Sequence, residues 1–333
     1  MNRNLLMQEI KKFEDIELFS HILTEFRKDI FSDDSIFLTE SHGYYNETEN
    51  IVNYLLGIIN EELCQFCKSP EKNKILTINQ NKINNCFFEE IYVEISLTKG
   101  EGKKYSASDF IEKMFYHKDG KLQIRPYIKM RIQTDSFQDF KYVISFVLAH
   151  ELTHCYNSYI FWKKTKKILN NEYIESIGYP KKTRTNTSFN QQAIRSVLYR
   201  LHRLERNAYI AQIKQELLQY KDEINDAQSG LNALKKTESY ERDFKNIEEN
   251  ILNILSLPFS DSEQNEIMET VNEIAKKNFT TFEQCKKYFW NKWEKWKRKF
   301  MQQSSKIIYD IYLMNIQNNI IDTSQTPIIK PNH

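Results

Sequence analysis

Residues 140–154 read Phe140-Lys141-Tyr142-Val143-Ile144-Ser145-Phe146-Val147-Leu148-Ala149-His150-Glu151-Leu152-Thr153-His154. The first ten are apolar nearly all round a helical projection and contain neither Gly nor Pro, the pattern of a buried helix. The last five form a His-Glu-x-x-His pentapeptide. On a helix, positions i and i+4 lie one turn apart on the same face. His150 and His154 can therefore aim ring nitrogens at one zinc ion. Glu151, one step round that turn, can reach a water on the ion and act as general base. Zinc draws the pKa of such a water down to ~7, which suits attack on a carbonyl carbon. The plain alternative is two surface histidines on an ordinary helix, and the apolar run before them speaks against it.

A catalytic zinc takes three protein ligands and keeps one position open. The third is sought downstream. Leu198, Leu201, Glu205, Ala208 and Gln212 recur at intervals of three and four and share one helical face. Glu205 then sits on an apolar stripe directed inward, where an unpaired carboxylate is costly. Zinc is one possible partner; an Arg in a buried ion pair is another. His202, Glu172 and Glu175 stay open as alternatives. The histidine helix runs on through Tyr159-Ile160-Phe161-Trp162-Lys163, which leaves little chain to fold back before Glu172.

Ala149-His150-Glu151-Leu152-Thr153-His154, followed some fifty residues later by Glu205-Arg206-Asn207-Ala208-Tyr209, resembles the glutamate zincins (gluzincins). It is similar in particular to uncharacterised metallopeptidases of phages and gut bacteria. The resemblance covers roughly residues 85–220 and rests on those two short segments. It implies a zincin-like core, Zn2+ held by His150, His154 and Glu205, and Glu151 as general base. Many gluzincins carry an Asp four residues after the ligand glutamate, where it orients a histidine; here that position is Tyr209. A donor to the developing oxyanion is also needed. His202 ranks first by its position one turn before Glu205, ahead of Tyr199 and Tyr209.

Two runs have strand character. Ile91, Val93, Ile95 and Leu97 alternate with polar residues, as do Ile124, Ile128, Met130 and Ile132. Period two predicts half-buried antiparallel strands. Pro126 favours an edge position for the second run. An edge strand beside the metal would bind an extended peptide by strand addition.

Composition bounds the remaining choices. The chain has 333 residues, 47 Lys+Arg against 45 Asp+Glu, a net charge of +2, 7 Gly and 6 Pro. The charge balance does not predict a nucleic-acid binder, and few Gly and Pro predict long helices with short turns. Met1–Glu9 lacks the apolar run of a secretory signal. No run of ~18 apolar residues predicts a membrane span. A cytoplasmic protein is expected. Five cysteines, an odd number, argue against a disulfide framework. Cys64-Gln65-Phe66-Cys67 and Cys86 lack the second pair of a zinc knuckle and read as reduced structural thiols. Cys155 is rotated away from the metal by about a third of a turn.

The expected class is α+β and predominantly helical, with a small antiparallel sheet. Three regions are expected: helical residues 1–84, a metallopeptidase core at 85–225 and helical residues 226–333. Residues 5–68 read as helix interrupted near Ser41–Tyr45. Residues 189–255 read as two long helices broken near Ser229-Gly230. The basic, Gly- and Pro-punctuated stretch 178–188 is a connector or a lid. Phe289, Trp293, Trp296 and Phe300 share a face among many Lys and Arg and read as a core-packing stripe, with a nucleic-acid or anionic-surface contact as the alternative.

The expected activity is hydrolysis of peptide bonds in a peptide or protein substrate. One rival is a non-catalytic assembly protein whose metal is structural, although such a site needs no Glu151. Another is a nucleic-acid-associated protease of the SprT type. That family takes a histidine as third ligand, and the only histidines after His154 are His202 and His333.

Overall fold

The strand Glu90–Lys99 buries Ile91, Val93, Ile95 and Leu97 and leaves the alternate residues half-exposed, as period two requires. It lies inside a four-stranded sheet in a computed structural model of the protein, which describes residues 35–81, 88, 90–109, 114–118, 121–166 and 189–324. The strands are β1 (Asn73–Asn81), β2 (Glu90–Lys99), β3 (Lys104–Asp109), β4 (Phe115–Lys118), β5 (Lys121–Ile124) and β6 (Tyr127–Thr134). The sheet order is β1-β2-β6-β3, and β4 and β5 form a separate hairpin.

The sheet is mixed, which corrects the antiparallel expectation. β2 and β6 run parallel, with Val93 opposite Ile128 and Ile95 opposite Met130. A parallel pair needs a long crossover connection, and the chain from Lys99 to Tyr127 supplies one through β3, β4 and β5. β6 is also internal rather than an edge. Pro126 precedes it, so no ladder N–H is asked of the proline, and its carbonyl accepts the Tyr92 N–H at 2.9 Å. The edges are β1 and β3. On the half-exposed face, Tyr92 stacks on Tyr127 at 4.6 Å and Lys129 reaches Glu94 at 2.9 Å.

Around the sheet the protein is mostly helical: α1 (Ser35–Lys68), α2 (Phe137–Thr165), α3 (Phe189–Arg200), α4 (Arg203–Leu218), α5 (Ala227–Lys235), α6 (Asn246–Ser256), α7 (Asp261–Ala275) and α8 (Phe282–Ser324). α1 passes unbroken through 41–45, where a loop was expected. It buries Val52, Leu55, Ile59, Leu63 and Phe66, spaced by three and four, and it packs on α2 and β1.

Two apolar cores result. The first joins α1, the sheet and α2, with Ala211 of α4 reaching into it. The second is built by α3 to α8. α4 is the seam between them. Its Ala208 and Ala211 are buried, and such small residues allow close packing against α2. Lys214 of α4 also reaches Glu49 of α1 at 2.7 Å.

The region after residue 189 is more segmented than two long helices. A turn at Leu201-His202 separates α3 from α4, and a π-helical segment Ser239–Lys245 leads into α6. Ser229 and Gly230 lie inside α5, not at a break. Ser229 completes a capping box with Asp226. A Cβ on Gly230 would stand 2.2 Å from Ile308 Cγ2, so the glycine lets α5 press on α8. The aromatic stripe of α8 is interior: Phe289, Trp293, Trp296 and Phe300 are each at most 1% exposed. Among the described residues no helix is long and apolar enough to cross a membrane.

Candidate metal centre

α2 carries the pentapeptide through the middle of the protein. Ser136 caps it by accepting from the Asp139 N–H at 3.0 Å, and Lys166 closes it in the left-handed conformation (φ 59°). Its buried hydroxyls are satisfied within the helix. Thr153 Oγ1 donates to the Ala149 carbonyl at 2.7 Å, and Ser158 Oγ to the His154 carbonyl at 2.9 Å. Cys155 is 1% exposed and belongs to the apolar core.

The turn at Leu201-His202 sets the other half of the site. The His202 carbonyl accepts the Arg206 N–H at 3.0 Å, so α4 begins there and Glu205 falls in its first turn. Carboxylates are favoured at that end of a helix, near the positive pole of the macrodipole. The inward stripe holds across the turn: Leu198, Leu201, Glu205, Ala208 and Gln212 are all buried.

Three side chains converge. His150 Nε2 and His154 Nε2 are 3.2 Å apart. Glu205 Oε2 lies 3.4 Å from His150 Nε2, and Glu205 Oε1 3.3 Å from His154 Nε2. One donor atom from each residue falls within 4.8 Å of the others, so the group can hold a metal ion. Glu205 is 0% exposed. Burial pushes its carboxyl pKa up, but the facing His154 and His150 outweigh this by charge and hydrogen bonding and hold it well below the usual carboxylate range.

The donor set fits a cation on two grounds. Two imidazoles turn the same ring nitrogen toward each other and toward one carboxylate, an arrangement that protons satisfy poorly and a cation between them satisfies fully. One oxygen of Glu205 faces each histidine nitrogen, and one ligand atom from each of the three residues lies within 4.8 Å of the others, close enough for all three to reach one ion at about 2.0–2.2 Å. Glu151 is 8% exposed and follows His150 directly on α2.

The surroundings bring in Tyr209, already weighed as an oxyanion donor, and other residues no motif marked. Tyr209, one turn after Glu205, sets its ring 5.1 Å from the His150 ring. Burial, then the charges of Asp243 and Glu205, push the Tyr209 phenol well above its usual pKa, against the pull of Arg200. Asp243 is 2% exposed and accepts from Arg242 Nη2 at 3.0 Å, with Arg200 Nη1 at 3.5 Å. Arg242 in turn lies over the Tyr105 ring at 4.7 Å. Trp296 of α8 comes within 6.5 Å of Tyr209. Neither the π-helical segment nor α8 carries a local signal of this role; only the tertiary fold brings them here.

Of the sequence candidates, His150, His154 and Glu205 are brought together. His202 stands at the turn before α4, half-buried and outside the three-residue group. Glu172, Glu175, the stretch 178–188, Cys86, His333 and the helical reading of residues 5–34 lie outside the described residues. Cys64 and Cys67 stand on α1 as free thiols. Comparison of the chain with protein-family models, curated proteins and solved structures gives no match.

Proposed function

We propose that the protein is a zinc-dependent peptidase of the gluzincin type. The observation that carries this reading is the convergence of His150, His154 and Glu205 at 3.2–3.4 Å, with Glu151 on the same helix. Zinc is favoured over other ions because two imidazoles and one carboxylate are its habitual set in hydrolases. When bound, the ion would polarise a scissile carbonyl and lower the pKa of a water.

The chain's own residues do the rest. Glu151 takes a proton from the attacking water and returns it to the leaving amine, as a general base and then a general acid. His202, before α4, is the proposed donor to the oxyanion. Buried Glu205 would neutralise part of the charge of a bound cation. The peptide would lie along β3, an edge of the sheet whose Tyr105 packs on Phe146 at 5.1 Å, one helical turn before His150. A backbone edge there supports strand addition by an extended substrate.

The alternative of a purely structural metal has the same three ligands but no use for Glu151. The discriminating experiment is turnover of an unfolded protein substrate by wild type and Glu151→Gln. A loss of about 10²–10⁴-fold in kcat with metal content unchanged is expected. Equal activity, or none in the metal-loaded wild type across a broad peptide library, would overturn the peptidase reading.

A further inference from the structure

We infer that Tyr209 is a positioning residue for His150, fixing the plane of its imidazole by ring packing where a polar partner ordinarily does so. The inference rests on the metal-site reading above. The imidazole of His150 turns Nε2 toward His154 and Glu205. Its other nitrogen, Nδ1, is buried and has no hydrogen-bond partner among the described residues. A metal-bound histidine ordinarily donates that second N–H to a carboxylate, carbonyl or water, which sets the ring's orientation. No described residue makes that bond, so the contact that orients the ring about χ2, a broad torsion, is packing.

Tyr209 supplies the packing. Its ring meets that of His150 at 5.1 Å with planes 62° apart, inside the range of favourable edge-to-face pairs. Tyr209 is itself held: it is 5% exposed and contacts Trp296 at 6.5 Å. Trp296 is fully buried and packs edge-on against Phe300 at 5.4 Å. An aromatic series thus runs from α8 through α4 to the histidine on α2. Glu205 and Tyr209 are at i and i+4, so one helix presents the carboxylate and the supporting ring in fixed register. Ring packing orients the imidazole without the gain in basicity a carboxylate partner brings, and the aromatic ring, not the hydroxyl, is what matters.

The test is titration of Co(II) into metal-free wild type, Tyr209→Phe, Tyr209→Leu and Trp296→Phe, reading the visible spectrum and Kd, with circular dichroism as the check on folding. Tyr209→Phe should keep the wild-type spectrum and affinity. Tyr209→Leu should bind about tenfold or more weakly, the usual cost of losing outer support, with an altered spectrum. Trp296→Phe should fall between, and it carries the test if the Leu variant does not fold. A folded Tyr209→Leu with wild-type spectrum and affinity would overturn the inference, as would a Tyr209→Phe as impaired as the Leu variant, or an unchanged Trp296→Phe standing in for an unfolded Leu variant. A wild type that takes up no Co(II) would overturn the metal-site reading itself, a result distinct from any difference among variants.

Discussion

Glu205 Oε1 lies 3.3 Å from His154 Nε2 although the two residues stand on different helices. The turn at Leu201-His202 makes this possible, because it starts α4 close enough to α2 for a first-turn carboxylate to face the histidines. His202 is thereby tied to the site through the backbone, and under the proposed mechanism through its side chain as well. In His202→Ala, kcat should fall by about 10²–10³-fold, the scale of one lost oxyanion donor, with metal content unchanged. Unchanged turnover would remove His202 from the mechanism.

Gly230→Ala tests the packing of α5 on α8. The new methyl would meet Ile308 Cγ2 at 2.2 Å, and overpacking of this kind costs about 1–3 kcal/mol. The shift should appear in the urea midpoint, with metal affinity unchanged. In an Ile308→Ala background, which removes that Cγ2, Gly230→Ala should cost less than it does in wild type. A midpoint equal to or above that of wild type for the single variant would contradict the close approach.

Glu216 gives a pH signature. It is wholly buried, accepts from Gln212 Nε2 at 3.0 Å and from the Ser239 N–H at 3.1 Å, and burial, aided by the Asp243 charge, pushes its carboxyl from 4.5 up to about 7. The folded state then binds more protons than the unfolded state between those values. This group's stabilisation is complete below about 4.5 and is lost as pH rises through about 7. The loss is on the order of 3 kcal/mol. Urea midpoints at pH 5 and pH 7.5 should differ less in Glu216→Gln than in wild type. An identical pH slope in the two proteins would mean Glu216 is ionised when folded.

Legibility divided along physical lines. The pentapeptide and the stripe Leu198, Leu201, Glu205, Ala208 and Gln212 were readable because helical periodicity alone puts those side chains on one face, and the structure brings the three proposed ligands within reach of each other. The alternations in β2 and β6 were readable for the same reason with period two. Their parallel pairing was not, because side-chain alternation is indifferent to strand direction. Pro126 misled toward an edge because it sits just outside its strand. β1 was missed: it buries only Leu76 and Ile78, and Ile75 is 65% exposed, so its alternation is weak. Gly230 suggested a break, yet its function is contact with α8, a partner far along the chain. Tyr209 follows Glu205 at i+4 and was legible as its neighbour, whereas Asp243 and Trp296 gather at the site by tertiary packing, which leaves no local pattern.

The most direct test of the central claim is metal content by mass spectrometry of purified wild type beside Glu205→Ala. The account predicts about one zinc per wild-type chain and a sharp reduction in the variant. Full zinc in Glu205→Ala, or none in wild type even after reconstitution, would contradict it.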